Sequence, residues 1–131
     1  MPNRSSLAAD WFRYGDEDFQ AAQSLITQGG PARVVLTLVQ QSAEKYLKGY
    51  LIYHGWKLKK THDLVSLINE ALVYDSTFRD YVEMADRLSA YYFDSRYPAG
   101  SPIEYPPEQI TAMTSQTEKL IAKIKADVTT G

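Results

Sequence analysis

QQSAEKYLKGYL, residues 40–51, lies within a longer apolar run, and its reading decides the fold. Ala43, Tyr46, Leu47 and Tyr50 recur at helical spacing, and Val35, Leu36 and Val39 carry the same face upstream. Leu38 and Ile52 fall on the far side, so this helix is apolar almost all round. A helix of that kind is central, or covered by another subunit. We expect it to be central, with a dimer contact nearby. Gln41, Glu44, Lys45 and Lys48 form a polar strip beside the apolar faces, and the i, i+4 spacing pairs Glu44 with Lys48 on a solvated face. The helix is expected from about Pro31 to His54, closed by Gly55 as a left-handed cap.

Outward from this segment the helical period continues. A first helix is predicted from about Ser6 to Thr27, with Leu7, Trp11, Tyr14, Ala22 and Leu25 on one stripe, ended by Gly29-Gly30-Pro31. Thr61 is expected to cap a third helix that turns Leu64, Leu67, Ile68 and Ala71 inward. Asp75 and Ser76 offer the cap of a fourth, with Phe78, Tyr81, Val82, Ala85, Leu88 and Tyr92 on one face. Pro106-Pro107-Glu108 opens a fifth, with proline and an acid in its first turn, carrying Ile110, Met113, Thr117, Leu120, Ile121 and Ile124. No segment alternates with period two. The expectation is an all-α, up-and-down bundle of about five helices in one domain over residues 1–131, its first two helices antiparallel. Between Phe93 and Pro106 the chain holds three prolines, Gly100, Arg96 and two tyrosines, a long connection of the kind that carries function.

Composition bounds the function. The chain has 131 residues, 44% of them apolar, and a net charge of −2, which suits an ordered globular domain and gives no support for bulk nucleic-acid binding. The absence of cysteine removes disulfides and thiolate metal sites. No apolar run approaches the roughly 18 residues of a membrane span, and Met1–Ser6 lacks a signal-peptide core. We expect a cytoplasmic protein with no membrane association.

Several residues break the amphipathic pattern. Asp18 falls on the predicted inner stripe of the first helix, so it needs an arginine, lysine or tyrosine partner, or it orients a groove arginine such as Arg96. His62 follows the expected helix cap and reads as a local hydrogen-bonding group; with no second histidine nearby, a metal site is not supported. His54 stands at a helix C-terminus beside Lys57, Lys59 and Lys60, a basic cluster that reads as a solvated turn. Arg96 is the strongest binding candidate, because Tyr91-Tyr92-Phe93-Asp94 precede it and Tyr97-Pro98 follow. Its guanidinium is a planar fork for phosphate or carboxylate, and tyrosine faces can stack on a base. A structural clamp from Arg96 to Asp94 or Asp18 is the competing reading.

Trp11 and Asp18, then Gln40 to Lys48, Lys60-Thr61-His62-Asp63-Leu64 and Arg96-Tyr97-Pro98, taken in order, resemble the HEPN domain family over roughly Ala8 to Ile124. That resemblance implies a five-helix bundle, usually a homodimer, often acting beside a minimal nucleotidyltransferase. Many such proteins are ribonucleases or toxins of toxin–antitoxin pairs, whose site is an arginine followed after four to six residues by a histidine. Here the window after Arg96 holds Ser101, Pro102 and Ile103, none of them a proton-transferring imidazole. The expected function is therefore a non-catalytic, nucleotide- or RNA-associated HEPN module without a cofactor. In that reading Arg96, Tyr97, Lys45, Lys48 and Tyr92 line a phosphate-binding groove oriented by Asp18, Gln41, Glu44 and Asp94. Two alternatives stay open: a metal-independent ribonuclease that pairs Arg96 with His62, and a purely structural assembly subunit.

Overall fold

The structure is a computed structural model that describes residues 3–57, 59–95 and 105–130, with the side chains of 93–95, 129 and 130 excepted. Among these residues the regular structure is helical: α1 (Arg4–Gln28), α2 (Ala32–Tyr53), α3 (Leu64–Ala71), a 3₁₀ segment (Ser76–Tyr81), α4 (Val82–Ser95) and α5 (Pro107–Thr130). Among the described residues no helix is long and apolar enough to cross a membrane.

Local chemistry sets the boundaries. The Asn3 side chain accepts the Ser6 amide at 2.8 Å to start α1. Gly29, at φ 73°, ends it in the left-handed region. Gly55 does the same after α2 at φ 94°, and the Trp56 amide returns to the Leu51 carbonyl at 2.9 Å. The cap of α3 is Asp63, not Thr61: its carboxylate accepts from the amides of Val65 and Ser66, while Thr61 Oγ1 accepts from the Asp63 amide. A carboxylate two residues later takes the site because it reaches both open amides of the first turn. The fourth helix is also shorter than its apolar pattern, since Asp75 caps a 3₁₀ turn before the α-helix proper begins at Val82.

α2 is the central helix, packed against α1, α3, α4 and α5. Tyr46, Leu47 and Leu51 are fully buried. Around them lie Leu64, Ile68, Phe78, Leu88, Leu120 and Ile124 from the surrounding elements. Burying side chains of this size contributes about 1.5–3 kcal/mol each. Ile52, predicted on the outer side, is 7% exposed, and Leu38 is partly buried, so the fold covers α2 on both sides.

α1 runs antiparallel to α2 but turns inward a different stripe from the one predicted. Its buried residues are Ala8, Gly15, Phe19 and Ala22, whereas Leu7 and Tyr14 are 41% and 47% exposed. Ala8, Gly15 and Ala22 recur every seventh position and make a seam of small residues. A Cβ built on Gly15 would stand 2.6 Å from the Tyr46 ring, and one on Gly49 would stand 2.6 Å from Phe12. Close approach of the two backbones selects small residues there, and the bulky ones move to the flank.

Candidate functional site

The polar residues of α2 separate into two rows. Gln40, Glu44 and Lys48 are spaced by one turn each, and all three are buried, at 0%, 6% and 5% exposure. Lys48 Nζ donates to Glu44 Oε2 at 2.9 Å and lies 5.5 Å from the centre of the Trp11 ring. The predicted pair is made, yet it is buried rather than solvated. The second row contains Gln41, which is partly buried, and Lys45, whose ammonium meets Asp18 at 2.5 Å. Asp18 thus has its cationic partner on α2.

Glu44 has a second contact. Its Oε1 lies 3.0 Å from His62 Nδ1, while Gln40 Nε2 donates to the His62 backbone carbonyl at 3.1 Å. Two side chains of the central helix, one turn apart, hold one residue of the α2–α3 connection. The His62 side chain itself is 66% exposed. Its ring centre is 6.4 Å from that of Tyr92, which is 9% exposed. The Gln40 Oε1 atom is buried without a hydrogen-bond partner among the described residues.

The predicted site residues are therefore brought together in part. Glu44, Lys48, His62 and Tyr92 form one contiguous cluster. Lys45 and Asp18 form a separate interhelical pair. Asp94 lies in the last turn of α4, and Arg96 and Tyr97 lie outside the described residues. Gln40 and Trp11 complete the cluster, and neither stood among the predicted site residues. The signal for Gln40 was its one-turn spacing from Glu44, which places both on one line of the helix. Both lysines proposed for phosphate have their ammonium groups on carboxylates.

His54 is placed differently. It stacks on Tyr74 with ring centres 4.4 Å apart and meets Tyr50 and Tyr53 edge-on, and burial pushes its pKa down. Among the described residues no group of three or more His, Cys, Asp or Glu is arranged to hold a metal. A groove between α4 and α5, lined by Asp80, Glu83, Arg87 and Glu108, contains none of the cluster.

A family model described as the HEPN domain matches residues 8–127. The chain is similar to the crystal structure of TT1696 from Thermus thermophilus, with 25% sequence identity and a TM-score of 0.78. The alignment covers 91% of this chain and 96% of that one. No match was found among curated proteins.

Proposed function

The chain belongs to the HEPN domain family, and from that membership we propose that it is a nucleotide- or RNA-associated module that binds phosphate without cleaving it. It acts as a homodimer with a minimal nucleotidyltransferase partner, in a toxin–antitoxin-type pair. Arg96, the first residue after α4, supplies the phosphate-binding guanidinium, with Tyr97 beside it in the chain. The observation that supports this reading is the juxtaposition of His62 and Tyr92, which stands four residues before Arg96 in the sequence. An exposed polar side chain thus lies near the C-terminal part of α4. The binding lysines of the sequence reading contribute less, because Lys48 is buried on Glu44 and Lys45 is held by Asp18. Isothermal calorimetry of Arg96→Ala with adenine nucleotides tests the proposal: binding is lost while the melting temperature holds. Equal binding by the variant would remove Arg96 from the site.

One observation favours a second reading. A carboxylate on the Nδ1 side of an exposed imidazole is the arrangement that prepares the ring for proton transfer. Metal-independent RNA cleavage by Arg96 and His62 is tested by incubating RNA with the protein in EDTA. Cleavage that survives the chelator and disappears in His62→Ala would replace binding by catalysis. Absence of nucleotide binding together with co-purification of a partner protein would leave an assembly subunit.

A further inference from the structure

We propose that the outer stripe of α1, made by Leu7, Trp11 and Tyr14, is where two copies of this chain meet, their first helices antiparallel about a twofold axis between residues 10 and 11. The inference rests on the homodimer of the reading above and names the face that forms it.

This stripe is the more hydrophobic face of α1, yet the fold leaves it outward. Leu7, Trp11 and Tyr14 follow one another at one-turn spacing. Leu7 and Tyr14 are 41% and 47% exposed, and Trp11 is half-buried. Among the described residues α1 packs chiefly on α2. Its side-chain ties to α5, Gln23 to Glu118 and Asp16 to Lys125, leave from the opposite flank of the helix. One exposed leucine is ordinary. Two large apolar residues two turns apart, with a tryptophan between them, make a continuous strip. Cations hold its rings in place: Lys48 lies 5.5 Å from the centre of the Trp11 ring, and Arg13 lies 5.2 Å from that of Tyr14.

The order of residues along the strip selects its occupant. A twofold interface sets one patch against itself, so each residue on one side of the axis meets its counterpart on the other. Leu7 and Tyr14 stand equally far from a point between Asp10 and Trp11, and so do Arg4 and Glu17. Antiparallel pairing about that point seats Leu7 of one copy on Tyr14 of the other, with Trp11 near the axis. It also carries the cationic end of the strip, Arg4, to the acidic run Asp16-Glu17-Asp18 of the second copy. Arg4 and Glu17 are both exposed and open to that contact. Parallel pairing would instead set Arg4 against Arg4 and the acidic run against itself. The strip is complementary to itself, which is what an isologous dimer requires.

The chain has no cysteine, so disulfide trapping reads the contact directly. The variant Leu7→Cys/Tyr14→Cys is oxidised and run on a non-reducing gel. Within one copy the two positions lie about 10.5 Å apart along the helix. A disulfide spans only about 4.4–6.8 Å between Cα atoms, so the bond can form only between copies. A reducible covalent dimer is expected from the double variant. Little is expected from either single variant, whose like positions are staggered along the antiparallel pair. Light scattering of the unsubstituted chain should give a dimer, and Leu7→Glu, at an exposed position, a monomer with an unchanged melting temperature. Arg4→Glu should weaken the dimer by about two- to fivefold, and Arg4→Glu/Glu17→Arg should restore it. A dimer that does not cross-link, or that survives Leu7→Glu, overturns this face and leaves the homodimer standing. A monomer at every concentration overturns both. Cross-linking of the single variants as readily as the double, or a charge swap that weakens the dimer further, overturns the antiparallel register.

Discussion

Lys48 and Glu44 meet at 2.9 Å with their side chains 7% and 8% exposed, so an ion pair one turn long is buried on α2, with Trp11 of α1 beside the lysine and His62 beside the glutamate. Removing one member leaves a buried charge uncompensated. Glu44→Ala and Lys48→Ala are each expected to lower unfolding free energy by about 3–5 kcal/mol in urea titrations. Glu44→Leu/Lys48→Met should remain within about 1–2 kcal/mol of the parent, since hydrophobic replacement of a buried pair is often neutral. A double variant as unstable as the singles would show that packing, not charge, sets the site.

Asp18 and Lys45 join α1 to α2 at 2.5 Å with partial solvent access, 19% and 27% of the two side chains. Such a charge-assisted contact is worth less than the enclosed one. Asp18→Ala is expected to cost about 1–2 kcal/mol, readable as a lower melting temperature with an unchanged helical circular dichroism spectrum.

The seam between the first two helices has little tolerance for volume. Adding one methyl at Gly15 brings it 2.6 Å from Tyr46 and 3.3 Å from the Ser42 carbonyl. Helix propensity favours alanine over glycine by about 1 kcal/mol, and overpacking costs about 1–3 kcal/mol. Gly15→Ala should therefore destabilise, and its cost should be smaller when measured in a Tyr46→Leu background than in the parent, a coupling that a double-mutant cycle in the same denaturation assay reads.

Acid should weaken the tie between the 3₁₀ segment and α5. Lys123 donates to Asp75 at 2.6 Å, and this bond, aided by Thr77, holds the Asp75 carboxyl well below the usual carboxylate range. A depressed folded-state pKa contributes stability above the unfolded value, about 3.9 for aspartate. That contribution is lost as pH falls from there towards the lower folded value. Melting temperature followed from pH 6 to pH 2 should decline less steeply in Asp75→Asn, which starts lower and has no such carboxyl to protonate.

Helix existence was legible because each element carries its own period and punctuation: Gly29, Gly55 and Pro107 mark ends that the structure reproduces. The inward face of α1 was not, for a physical reason. Leu7, Trp11 and Tyr14 form the more hydrophobic stripe, but Ala8, Gly15 and Ala22 permit the closer approach to α2, and proximity decided the packing. The Glu44–Lys48 pair was legible as a pair, while its burial depends on residues distant in sequence, Trp11 beside Lys48 and His62 beside Glu44. His62 read as a local hydrogen-bonding group at a helix start, and its partners Glu44 and Gln40 lie 18 and 22 residues away. No local pattern encodes that meeting; it follows from how the α2–α3 connection folds back on the central helix.

The small-residue seam also bears on the order of folding. It unites two helices that are consecutive in the chain, joined across Gly29, Gly30 and Pro31. Docking them closes only a short loop, so the largest helix–helix surface is available early at low entropic cost. The hairpin of α1 and α2 is thus the natural nucleus, onto which the later helices condense. Substitutions at Gly15 are expected to slow refolding, and those at the α5 residues Leu120 or Ile124 chiefly to quicken unfolding.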